Sequence, residues 1–151
     1  MVYILMAAGI FLADFLIKNY AERKFSMVGE KKKLKGFLGL RLHHNRGAFM
    51  NVGQKNQKLI AVLSACETGV VLLLSAFCLG KKGRTVLKTS LAMVTGGALS
   101  NTYDRLKRKY VVDYFSFGVK WKLLSRMVFN ISDFCIIIGC LVSAVALQKE
   151  D

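Results

Sequence analysis

Proline is absent from this 151-residue sequence. No helix is therefore interrupted by a missing backbone N–H, which argues against a transporter built on broken helices. Acids are scarce: nine Asp and Glu stand against 23 Lys and Arg, for a formal net charge of +14. Histidine occurs only at the adjacent positions His43 and His44, which point to opposite faces of an extended chain, so no metal site is expected. Cys66, Cys78, Cys135 and Cys140 contain no C-x-x-C, have no histidine at ligand spacing, and read as small buried hydrophobes. Ser26, Ser100 and Ser132 lack a paired histidine, and there is neither a G-x-S-x-G elbow nor a phosphate-binding glycine loop.

What the chain has is apolar length. Hydrophobic residues make up 54% of it and the mean hydropathy is +0.39, so apolar and basic residues must be segregated. Four segments, about 1–20, 59–80, 86–106 and 127–147, each approach the ~20 residues a helix needs to cross a ~30 Å hydrocarbon core. The expectation is an all-α integral membrane protein, one domain over residues 1–151, with four transmembrane helices. The first segment reads as a retained helix rather than a cleaved leader, because it has no basic n-region and Phe11 stands where a small residue is wanted. Basic runs flank these segments, where anionic lipid headgroups are the nearest phosphates; membrane lipid, not nucleic acid, is the expected partner.

Two connections carry period-two patterns. "FLGLRLHH" places Leu38, Leu40 and Leu42 on alternate positions, and "YVVDYFSFG" is rich in Val, Tyr and Phe, so a small extended element at the membrane surface is expected from both. Trp121 falls where interfacial aromatics sit.

Asp14, Glu67, Asp104, Asp113 and Asp133 lie in or beside the apolar segments, where an acid costs about 2.5 to 3.5 kcal/mol at a helix centre and so signals function. In a four-pass hairpin Asp14, Asp104 and Asp133 emerge on one face, together with Asp113 and the loop "HHNRGAFMN". Glu67 sits mid-helix and is expected to hydrogen-bond between helices. Asn101, Asp104 and Arg105 share one helical stripe, Asn130 and Asp133 another, and Asp14 and Lys18 a third. Two carboxyls that share one proton can activate water with one acid and protonate a substrate oxygen with the other; this needs no cofactor and no covalent intermediate.

The ordered set "DFLIK", "HNRGAF", "GGALSNTYDR", "VVDYF" and "FNISDF" resembles the lipoprotein signal peptidase family, signal peptidase II, from Asp14 to Asp133. The resemblance implies a bacterial plasma-membrane aspartic endopeptidase that removes the signal peptide from diacylglyceryl-modified prolipoproteins, cutting before the lipidated cysteine. It puts the catalytic pair on Asp113 and Asp133, and gives support and substrate positioning to Asp14, Lys18, Asn45, Gly47, Asn101, Asp104, Arg105 and Asn130. One chain supplies every element, so a monomer suffices. Three positions depart from the family pattern: Ser100 replaces the usual Gly, Ser132 replaces Ala, and "GAFMN" holds one of two usual alanines.

Lys and Arg are concentrated after the first and third helices, and a plain count would turn that face to the cytoplasm. The resemblance implies the reverse, with both termini cytoplasmic; long loops cross largely regardless of charge. Two other readings are weighed: a small ion or proton carrier using the intramembrane acids, and a family member that binds prolipoproteins without cutting them. The acids' grouping toward one face disfavours the carrier.

Overall fold

The structure, a computed structural model, describes residues 1–25, 32–33, 38–48, 52–119, 121, 124–125 and 127–148. Phe49, Met50 and Asn51 of the expected substrate loop lie outside them. Among the described residues there are four long helices: α1 (Val2–Phe25), α2 (Gln57–Leu79), α3 (Thr85–Lys107) and α4 (Ile131–Gln148). Four short strands, β1 (Lys32–Lys33), β2 (Leu38–Asn45), β3 (Val111–Phe117) and β4 (Val128–Phe129), form one antiparallel sheet in that order.

α1, α2 and α4 are long and apolar enough to cross a membrane; α3 does not qualify by composition. The reason is its position. α3 packs against the other three helices, whereas α1 and α2, and likewise α2 and α4, meet α3 rather than each other. A helix surrounded by protein can carry Ser, Thr, Asn and Asp as long as its neighbours bond them. They do: Thr68 and Thr102 hydroxyls lie 2.8 Å apart, Ser75 and Thr95 2.9 Å, and Ser90 and Ser143 2.7 Å.

Close approach comes from small residues. A Cβ on Gly96 would sit 2.6 Å from the Ala7 carbonyl oxygen of α1, and one on Gly97 2.6 Å from the Ser132 carbonyl oxygen of α4. Adjacent glycines thus serve two different neighbours of α3.

Several expectations change. α4 begins at Ile131, not near 127, because Val128 and Phe129 pair with Ser116 and Phe115 of β3. Glu67 makes no hydrogen bond with a described residue; the inter-helix bond falls on its neighbour Thr68. Among the cysteines only Cys78 is buried, while Cys66 and Cys140 are exposed. An outward face in lipid is as apolar as a core, so a greasy neighbourhood does not imply an interior position.

β2 and β3 come from different connections, and their pairing brings the α1–α2 and α3–α4 links together. The register runs Leu38 to Phe117 and Leu40 to Phe115, then resumes at His43 opposite Asp113. Between these pairs β2 spends two residues against one, a bulge that flips the following side chains to the other face. Strict alternation would put Leu42 opposite Asp113; the bulge puts His43 there.

Gly97→Val is expected to break the α3–α4 seam and destabilise the fold by at least about 1–3 kcal/mol, as overpacking does. Thermal unfolding in detergent would register a clear drop in Tm, and an unchanged Tm would contradict the close contact.

Candidate active site

The first turn of α4 is built by Asn130 and Asp133. Asn130 Oδ1 accepts the Asp133 backbone N–H at 2.9 Å, and Asp133 Oδ2 accepts the Asn130 backbone N–H at 3.0 Å. This is a reciprocal capping box with Asn and Asp in place of Ser and Glu. Asn130 is the cap rather than a member of the helix, so the two residues meet through backbone bonds and not along a helical stripe.

Asn130 also reaches the other acid. Its Nδ2 donates to Asp113 Oδ1 at 2.8 Å, so the one side-chain amide donates to the Asp113 carboxyl and accepts the Asp133 backbone N–H. The remaining Asp133 oxygen, Oδ1, accepts Asn101 Nδ2 at 2.9 Å. Asp113 stands in the most buried stretch of β3, between Val112 and Tyr114. Burial and then the charge of Asp133 push its carboxyl up to about 8, against the weaker opposing pulls of Asn130, Lys18 and Asn45.

Behind these acids lies a sealed ionic cluster. Lys18 is 0% exposed and its Nζ lies 2.8 Å from Asp14 Oδ2 and 3.1 Å from Asp104 Oδ2, while donating to Asn101 Oδ1 at 2.9 Å and Ser100 Oγ at 3.1 Å. Asp14 further accepts the Ser100 hydroxyl, the Ser132 hydroxyl and the Tyr114 phenol. Burial and the Asp14 charge push the Tyr114 phenol up, which keeps it a donor. Asp104 accepts the Val112 N–H at 3.2 Å and pairs with Arg108 Nε at 3.0 Å. Buried charges persist only when fully paired and hydrogen-bonded, and this cluster meets that condition. Both serines that depart from the family pattern are spent on the same Asp14 oxygen.

A cavity of about 620 Å³ opens in front of the acids, lined on its polar side by His43, Asn45, Asn101, Arg105, Asp113 and Asp133. Its other wall is mainly apolar, from Ile60 and Leu63 of α2 to Ile136 and Ile137 of α4, with Ser64 and Glu67 of α2 as its polar members. Arg105 donates to the Gly47 carbonyl at 3.2 Å, and Gly47 N–H donates to Asn45 Oδ1 at 3.1 Å, so α3 holds the loop after β2. The Arg105 Nε is buried without a hydrogen-bond partner among the described residues.

Of the residues expected at the site, Asn45, Asn101, Arg105, Asp113 and Asp133 face the cavity. Asp14, Lys18, Asp104 and Asn130 are at most 1% exposed and act from behind it. Sequence reasoning missed His43 and Glu67 as cavity residues. Only the bulge brings His43 to the cavity; burial and then Arg41 hold its imidazole below the usual range, which keeps it neutral. His44 faces away as expected, its Nε2 2.9 Å from Glu22 Oε1 and its ring stacked on Tyr110 at 4.0 Å. Among the described residues, no group of three His, Cys, Asp or Glu side chains could hold a metal ion.

The family model for signal peptidase II matches residues 6–148. The chain belongs to the signal peptidase II family. It is 33% identical over 149 residues to a lipoprotein signal peptidase of Clostridium acetobutylicum, covering 98% of this chain and 94% of that one. It is also 33% identical to one of Ectopseudomonas mendocina, over 99% and 89% of the two chains. A solved bacterial membrane enzyme shares the fold with a TM-score of 0.81 at 22% identity, across 99% of this chain and 88% of that one. Family and apolar helices together make this signal peptidase II relative a bacterial multi-pass membrane protein and a peptidase.

Replacing Ser100 by Gly and Ser132 by Ala together removes two charge-assisted bonds from buried Asp14. Each is expected to cost about 1.5–3 kcal/mol. Thermal unfolding of single and double variants checks this; a double variant as stable as the parent would show that Lys18 and Tyr114 satisfy Asp14 alone.

Proposed function

We propose that this protein removes the signal peptide from diacylglyceryl-modified prolipoproteins, using Asp113 and Asp133 as an aspartic dyad. The observation that carries the reading is the joint tethering of both acids by Asn130, on the wall of a cavity that is polar on one side and mainly apolar on the other. The names of its relatives give the substrate class.

In this reading Asp113, whose carboxyl burial and the Asp133 charge push up, holds the shared proton, and Asp133, which accepts the Asn101 amide and the Asn130 backbone N–H, is the base. Asp133 then removes a proton from a water that attacks the scissile carbonyl, and Asp113 gives its proton to the carbonyl oxygen. Asp133 passes the proton it gained to the departing amine as the C–N bond breaks, and the product acid returns a proton to Asp113. Arg105 and Asn45 hold the loop over the peptide. The apolar wall between α2 and α4 receives the diacylglyceryl chains, so the bond is presented while the lipid stays in the bilayer.

In this reading residues 1–151 form one membrane domain, α3 crosses the bilayer shielded by its neighbours, and the dyad opens outside the plasma membrane with both termini in the cytoplasm. A single chain suffices. Glu67 lines the same cavity as the dyad, which supports a hydrolytic site over a relay through the helices.

Asp113→Asn and Asp133→Asn are each expected to abolish cleavage of a diacylglyceryl-modified precursor by the purified protein while leaving insertion intact. Near-normal cleavage by either would refute the dyad. Because Asp113 must keep its proton, kcat/KM is expected to fall about tenfold per pH unit above about pH 8. A rate that stays level to pH 10 would remove Asp113 as the proton donor.

A further inference from the structure

We propose that the groove between α1 and α2, at the opposite end of the helices from the dyad, binds one anionic glycerophospholipid. Because α1 and α2 pack on α3 rather than on each other, they leave a cavity of about 460 Å³ whose floor is α3. Ile4, Phe11, Leu72, Ala76 and Leu91 line it, and Lys88 stands among them. Its volume is in the range of small-molecule sites, and its lining is apolar apart from Lys88, Tyr3, Ser75 and Thr95, which suits an acyl chain.

Charge at the mouth selects the headgroup. The three walls draw on residues 1–13 and 68–103, which contain no Asp or Glu, while Lys81, Lys82, Arg84 and Lys88 all lie on the α2–α3 turn or the first turn of α3. Lys88 Nζ donates to the Lys81 carbonyl, which folds it back beneath the turn. Lys81 Nζ lies 4.7 Å above the exposed Phe77 ring, outside the groove, so Lys88 is the cation that lines it. A cluster of cations of one sign at the end of an apolar slot between membrane helices is the complement of a phosphate ester joined to a fatty chain. A zwitterionic lipid carries the same phosphate, but its headgroup ammonium brings a positive charge up to these cations, so it is the weaker match.

The test uses the full chain in detergent, titrated with dioleoyl phosphatidylglycerol, dioleoyl phosphatidylcholine or glycerol 3-phosphate. Bound lipid is counted by native mass spectrometry, with thermal unfolding read in parallel. Phosphatidylglycerol is expected to bind as one copy and raise Tm, phosphatidylcholine to bind at least about fivefold more weakly, and glycerol 3-phosphate to do neither. Lys88→Gln is expected to weaken phosphatidylglycerol about fivefold without changing phosphatidylcholine, and Lys82→Gln, on the exposed turn, to act in the same direction. Ala76→Phe, which fills the groove from an exposed position, is expected to expel both lipids. Equal binding of the two lipids, a Tm shift reproduced by glycerol 3-phosphate, or phosphatidylglycerol retained by Ala76→Phe would overturn the proposal.

Discussion

The buried ammonium of Lys18 is the point on which this structure turns. It binds α1 to α3 through Asp104, Ser100 and Asn101, and it neutralises Asp14, which in turn gathers Tyr114 from β3 and Ser132 from α4. An ion at this depth without partners would cost several kcal/mol, and each partner here belongs to a different element or to the adjacent helical turn. The same group therefore closes the fold and fixes Asn101, whose amide meets Asp133. Charge pairing and the placement of Asp113 and Asp133 are a single network.

α3 makes that network possible. Three helices shield it, so it can carry Ser100, Asn101, Asp104 and Arg105 along one side without meeting hydrocarbon, and Gly96 and Gly97 let α1 and α4 come close enough to shield it. The gaps that remain are consequences of the same hub arrangement. α2 touches neither α1 nor α4 closely, so one opening faces the acids and another the opposite end of the helices.

The sheet supplies what helices do not. Asp113 must stand outside the spanning segments yet be buried, and an antiparallel pair made from two separate connections provides both conditions. Its bulge decides which side of β2 faces the acid. Val112 and Tyr114, pointing the other way, anchor β3 to Asp104 and Asp14, so the strand carrying Asp113 is held to the helices on the side away from the cavity.

Much of this was legible in the sequence. Apolar length located the four helices, period two located β2 and β3, and the cost of a carboxylate in apolar surroundings singled out Asp14, Asp104, Asp113 and Asp133. These are local properties, set by how many residues span a bilayer and how side chains alternate. Tertiary structure alone decided the rest. Asn130 became a cap serving both acids because β4 delays the start of α4 by four residues, to Ile131; His43 replaced Leu42 at the cavity because one extra residue in β2 reverses its faces; Thr68, not Glu67, bridges α2 and α3. Ser100 and Ser132, apart by 32 positions in the chain, converge on one oxygen of Asp14. Such outcomes depend on which long-range partner satisfies a buried polar group, and a linear pattern carries no distance between residues that far apart.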